Sequence, residues 1–112
     1  MTHGEIWLID FGIPVGSLPA KMRPAVDLLG IKHLNTVVVI PFTSNLVSSE
    51  HEPNIFFTKE ETGLSKDSVA VIHLIGAANK FCFKRKISKL SEENYQKLID
   101  AVVKLITNKS NT

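Results

Sequence analysis

The chain has little sulfur, little net charge and no long apolar run. Its one cysteine, Cys82, cannot form an internal disulfide, so nothing points to an oxidising compartment. Four histidines, His3, His33, His51 and His73, stand far apart without the paired spacing of a zinc site. No metal and no cofactor is expected. Lys and Arg together number 13 against 11 Asp and Glu, a net charge of only +2. That excess is too small to argue a nucleic-acid partner from charge alone, so any basic footprint must be local. No apolar run approaches membrane-spanning length, and no signal-peptide pattern precedes the first strand. The cytoplasm is therefore the expected compartment, with no membrane contact. A strand–helix–strand crossover is also missing, which argues against a parallel α/β sheet.

What is present reads as one domain over 1–112, with 44% hydrophobic residues and a modest core. Short apolar runs rich in β-branched and aromatic residues predict strands over Ile6–Phe11, Ala25–Leu29, Thr36–Ile40, Asn54–Thr58, Ser68–Ile75 and Lys80–Lys86. Gly12, Pro14 and Gly16 end the first, and Pro24 suits the start of the second. Asn45–Pro53 reads as loop, Lys59–Lys66 as a solvated turn, and Gly76-Ala77-Ala78-Asn79 as a break. Ser91 is a good N-cap for a helix over about 91–107, with Glu92 and Glu93 in the first turn. Tyr95, Leu98, Ile99, Val102, Val103 and Ile106 fall at helical spacing on one face. Lys104 and Lys109 lie near its negative end, and the tail from Asn108 is polar and expected to fray. Six or seven short strands followed by one amphipathic helix predict a mainly β protein, a small barrel.

Two polar stretches interrupt the apolar runs. The first is Gly16-Ser17-Leu18-Pro19-Ala20-Lys21-Met22-Arg23-Pro24, a long aperiodic loop of the kind that often carries function. The second is Pro41-Phe42-Thr43-Ser44-Asn45. Between them they offer Ser17, Lys21, Arg23, Thr43, Ser44 and Asn45 at strand ends, a set suited to a phosphate ligand.

The order of these pieces resembles the MazF/PemK family of endoribonuclease toxins. The matching residues are Gly4-Glu5-Ile6-Trp7, Gly16-Ser17, Arg23-Pro24-Ala25-Val26, Pro41-Phe42-Thr43, Asp67-Ser68-Val69 and the C-terminal helix. The resemblance runs from about Gly4 to Ile106. It implies an SH3-like barrel of the MazF/CcdB type with a C-terminal helix, working as a homodimer. It also implies a sequence-specific, metal-independent mRNA interferase, the toxin of a type II toxin–antitoxin system. The implied partners are single-stranded RNA and a cognate antitoxin whose acidic segment covers the RNA channel, any DNA contact going through that antitoxin. Arg23 and Thr43 fall on the family's two catalytic positions.

RNA carries its own nucleophile, the ribose 2′-hydroxyl. Its attack on phosphorus places charge on the phosphoryl oxygens, so a protein must supply a cation, a proton acceptor and a proton donor. Arg23 suits the cation, because its planar fork matches a phosphate and stays charged. Thr43 suits donation to a phosphoryl oxygen. Ser17, Lys21, Ser44 and His73 are the candidate substrate-binding residues. Ser17 reads first as shaping its loop, and Lys21 would equally stand in solvent. His73 could replace a missing proton acceptor, yet its setting in Val71-Ile72-His73-Leu74-Ile75 reads first as that of a buried, hydrogen-bonded structural histidine. The chain departs from the family where Leu18-Pro19 replace an acid and a glutamine, and where His73-Leu74 and Gly76-Ala77 replace an acid–Gln pair and a basic-Thr pair. These departures keep two alternatives open: a CcdB-like gyrase-poisoning toxin, or a non-catalytic member that binds RNA or a partner. The run Lys80–Lys86 interleaves cations with Phe81 and Phe83. It reads as an amphipathic edge strand, with Lys84, Arg85 and Lys86 offering a cationic rim.

Overall fold

Thr36–Thr43 is the strongest strand signal in the sequence, and it forms the strand with the most neighbours. The computed structural model describes residues 2–19 and 21–108. Its strands are β1 (Glu5–Asp10), β2 (Met22–Gly30), β3 (Thr36–Thr43), β4 (Ile55–Phe57), β5 (Ser68–Ala70), β6 (Gly76–Asn79) and β7 (Phe83–Lys89). A single helical turn, α1 (Lys59–Thr62), follows β4, and α2 (Glu92–Thr107) follows β7. All pairings are antiparallel, in the order β4-β5-β3-β2-β1-β7, with β6 also paired to β3.

The mainly β architecture with a terminal helix is the one the sequence predicts. The sheet is not closed, since β4 and β7 end its path without pairing. They approach through a side chain instead: the Ser88 hydroxyl on β7 donates to the Thr62 carbonyl at the end of α1. Gly63, at φ 73°, caps α1 against that serine.

Val37, Val39, Ile40 and Phe42 of β3 are all buried, so both of its faces are covered. One core is built on the row Ile6, Val26 and Ile40, which are register partners across β1, β2 and β3. Phe42, Phe57, Ile72 and Leu98 complete it. The other core gathers Ile9, Ala25, Val37, Val39 and Phe83, with Trp7 packed edge-on to Phe83 at 5.8 Å. Each fully buried aliphatic or aromatic side chain contributes about 1.5–3 kcal/mol relative to exposure.

α2 starts as expected, with the Ser91 hydroxyl accepting from the Asn94 N–H at 3.1 Å. The Tyr95 hydroxyl donates to the Leu28 carbonyl at 2.6 Å and ties the helix to β2. Its buried face is narrower than the apolar pattern suggests: Leu98 and Ala101 are buried, but Val103 and Ile106 are 53% and 77% exposed. At about 100° per residue, Leu105 and Val102 stay within about 40° of Leu98, whereas Val103 is rotated about 140° and Ile106 about 80°. Lys109 and the tail beyond it lie outside the described residues.

Four other expectations are corrected. Pro24 is the third residue of β2 rather than its first. Lys59–Lys66 contains a true helical turn, closed by a reciprocal cap between Thr58 and Glu61. Lys80–Cys82 forms a 3₁₀ turn before β7, leaving Phe81 exposed and Phe83 buried. The predicted strand Ser68–Ile75 ends at Ala70, and the predicted break Gly76–Asn79 is a strand.

The last correction has one cause. β5 and β6 lie along the same edge of β3, but the register slips between them. With Phe42 opposite Ala70, unbroken pairing would set Thr36 opposite Gly76; it faces Asn79, three residues later. The three extra residues are the 3₁₀ turn Ile72–Leu74. It acts as a wide bulge, the kind of irregularity that re-aims a side chain beside a functional site.

Candidate active site

The long loop between β1 and β2 is pinched shut at its base. The Phe11 N–H donates to the Lys21 carbonyl at 2.8 Å, and the Lys21 N–H donates to the Gly12 carbonyl at 2.7 Å. Lys21 accepts a left-handed φ of 57° to make this closure, and Gly12 turns at φ 76°. Ala20 lies outside the described residues. Arg23 follows at once, on β2 opposite Ile9 of β1.

Thr43 stands at the end of β3. The β2–β3 ladder pairs Val26 with Ile40 and Ala25 with Pro41. That ladder ends at Ala25 and Pro41, two residues short of Arg23 on β2 and of Thr43 on β3, where Thr43 pairs with Val69 of β5. The Thr43 hydroxyl accepts from the Asn45 N–H at 3.1 Å. An accepting hydroxyl still has its own proton to donate. Asn45 in turn caps the 3₁₀ turn Leu46–Glu50.

Arg23 and Thr43 line two adjoining cavities. The first, about 610 Å³, also has Lys21, Ser44, Ser65 and Lys66 in its wall. Its charged residues are all cationic, and no carboxylate lines it among the described residues. The second, about 310 Å³, is walled by Ser17 and Leu18 from the β1–β2 loop and by His51, Asn54 and His73. It too has no carboxylate in its lining among the described residues.

All six candidate residues thus gather around one ridge: Lys21 and Ser44 on one side, Ser17 and His73 on the other, Arg23 and Thr43 between. His73 is exposed to its cavity rather than buried, because the bulge lifts it off the sheet. Lys66, His51 and Asn54 were missed as site residues. Lys66 sits in what reads as a solvated turn, and His51 in a polar loop with no motif around it. Pairing of β4 with β5 is what carries both segments to the ridge.

The cationic run on β7 is not part of this site. None of Lys80–Lys86 lines either cavity. Lys86 pairs with the buried Glu5 at 3.1 Å, and the Lys84 ammonium donates to the Phe81 carbonyl. Burial pushes the Glu5 carboxyl up, but hydrogen bonds from Trp7, Thr2 and Lys86 outweigh it and hold it at about 2. Asp27, 1% exposed on β2, has both carboxyl oxygens without a hydrogen-bond partner among the described residues. Burial and the Glu5 charge raise its pKa, against the opposing pull of His3 and Lys80. Among the described residues, no three His, Cys, Asp or Glu side chains gather closely enough to hold a metal ion. No helix among them is long and apolar enough to cross a membrane.

The fold is thus a small antiparallel β sheet with a C-terminal helix, with Arg23 and Thr43 at the junction of two clefts that no carboxylate lines among the described residues. The chain belongs to the family of PemK-like, MazF-like toxins of type II toxin–antitoxin systems, whose model matches residues 2–106. It is similar to Endoribonuclease MazF6 of Mycobacterium tuberculosis and Endoribonuclease MazF2 of Mycobacterium bovis. Each is 34% identical over 84 residues, covering 71% of this chain and 74% of the relative. It is also similar to Endoribonuclease MazF of Staphylococcus saprophyticus, 27% identical over 105 residues, covering 91% of this chain and 88% of the relative.

Proposed function

We propose that this chain is an endoribonuclease toxin that cuts single-stranded mRNA at specific sequences, by attack of the ribose 2′-hydroxyl and without a metal ion. The observation that carries the reading is that Arg23 and Thr43 both line both clefts, just beyond the end of the β2–β3 ladder. Arg23 holds the phosphoryl oxygens and offsets the charge that builds on them. Thr43 donates its hydroxyl proton to the same group and fixes its orientation. Lys21 and Ser44 hold the RNA backbone in the cationic cleft. Ser17 and His73 meet the nucleotide on the other side. The products are a 2′,3′-cyclic phosphate, or the 3′-phosphate from its opening, and a 5′-hydroxyl. The names of the relatives support the activity, since each is called an endoribonuclease.

The working unit under this reading is a homodimer of single-domain chains in the cytoplasm, restrained by an acidic antitoxin segment laid along the RNA path. The test is incubation of a long RNA with the purified protein in EDTA, with mapping of the cut sites and their end groups. Cleavage is expected to leave 5′-hydroxyl ends, and Arg23→Ala is expected to slow it about a hundredfold or more. Cleavage that requires Mg²⁺, or that survives the substitution, overturns these roles. Arrest of DNA supercoiling with RNA left intact would instead indicate a gyrase poison, and RNA binding without turnover a non-catalytic member.

A further inference from the structure

The proposed reaction needs a group to take the 2′-proton and another to give one to the leaving 5′-oxygen. No carboxylate lines either cleft among the described residues, and Arg23 remains charged too firmly to serve as a base. We infer that His51 and His73 are the proton-transfer pair of this site, held in place by Asn54. This inference rests on the ribonuclease reading and adds to it the residues that move protons.

Both imidazoles line the same cavity as Arg23 and Thr43, and both are exposed. They arrive from separate segments: His51 directly follows the 3₁₀ turn Leu46–Glu50, and His73 is the middle residue of the bulge between β5 and β6. Asn54 joins the two. Its side-chain amide donates to the Ser48 carbonyl at 3.2 Å, and its side-chain oxygen accepts from the Ile72 N–H at 2.9 Å. Its backbone N–H donates to the His51 carbonyl at 2.9 Å. One half-buried amide therefore sets the spacing between the two histidine-bearing turns. Its role is positioning, since its bonds run to backbone rather than to a reacting group.

The chemistry balances on these groups. One neutral imidazole accepts the 2′-hydroxyl proton as the 2′-oxygen bonds to phosphorus. The other, protonated, gives its proton to the 5′-oxygen as the bond from phosphorus to that oxygen breaks. Imidazole is the side chain whose ordinary titration allows both states near neutrality. The charged groups around the pair are few. Arg23 lines the same cavity. Glu50 and Glu52 flank His51 in the chain, and Glu52 is paired with Lys104 at 3.4 Å. Asp100 and Lys104 of α2 border a recess on the far side of Asn54.

The experiment measures kcat/KM against pH in EDTA for the native chain, His51→Gln, His73→Gln and Asn54→Ala. It uses an RNA with one cut site and the same RNA with sulfur replacing the bridging 5′-oxygen, a leaving group that needs no proton. The native chain is expected to show a two-limbed profile. Each histidine variant should lose about 10²- to 10⁴-fold and one limb of the profile. The sulfur substrate should rescue one of the two variants, which is then the acid, and leave the other slow. Asn54→Ala should lower kcat by about ten- to a hundredfold at unchanged KM. Thermal melts of the variants separate these effects from unfolding. Cleavage that depends on Arg23 but is unmoved by both histidine substitutions overturns this inference and leaves the ribonuclease reading standing. No cleavage in EDTA by the native chain overturns both.

Discussion

Two buried acids on adjacent strands respond to pH in opposite directions. Glu5 is hydrogen-bonded as the carboxylate and held at about 2, against an ordinary value of 4.5. Its stabilisation is present above pH 4.5 and is lost as pH falls toward 2. Asp27 is buried without partners among the described residues, so its pKa is raised from 3.8. Its favourable state is the neutral acid, present below pH 3.8 and lost as pH rises through the raised value. Asp27→Asn is therefore expected to raise Tm at pH 7 and to change it little well below pH 3.8. Glu5→Gln is expected to lower Tm at pH 7, with the loss shrinking as pH drops from 4.5 toward 2. Thermal melts of both variants across that range check the two signs together. At the proposed site, Arg23→Lys separates charge from geometry: the ammonium keeps the cation but loses the planar fork, so RNA cleavage should fall between native and Arg23→Ala.

Among the elements, the smallest has a structural task out of proportion to its length. α1 is four residues long, yet its C-terminal end meets β7 and links the two ends of the open sheet. Gly63 makes that contact possible. A Cβ there would lie 2.8 Å from the Ser88 Cβ, on a backbone already at φ 73°. Gly63→Ala is expected to destabilise the fold by about 2 kcal/mol or more, from the left-handed backbone and the clash together. A drop in Tm on the order of 5–10 °C is the corresponding readout for a domain this size. The bulge Ile72–Leu74 is the other small element with a large effect. It joins β5 to β6 along one edge of β3, and without its three residues His73 would be a sheet residue rather than a cavity residue.

For the whole molecule, the Leu98 core reaches the clefts through Phe42, which lines both of them, while Leu98 itself stands away from them. Leu98 is fully buried beneath α2 in the core built on Ile6, Val26 and Ile40. It lines none of the cavities described. Leu98→Ala is expected to destabilise the chain by about 2–5 kcal/mol in a urea titration. The RNA-cleavage rate per folded molecule should stay near native below the transition. A proportionate loss of activity under fully folding conditions would show that core and site are coupled.

The sequence determined the local terms. β-branched runs fixed where most strands form, Ser91 and the two glutamates fixed where α2 starts, and Arg23-Pro24 and Pro41-Phe42-Thr43 marked the ridge through their resemblance to a family. Those signals are legible because they depend on residue type and near spacing. The tertiary structure decided what depends on long-range pairing. Gly76–Asn79 has no strand propensity of its own and becomes β6 only because β3 offers it an edge. Val103 and Ile106 fit the apolar pattern of α2 but are turned out of the core by the rotation of the packed face. His51, Asn54 and Lys66 carry no motif and reach the ridge through β4–β5 pairing and the bonds of Asn54. A register slip and a side-chain clamp join residues far apart in the chain, and spacing along the sequence holds no record of either.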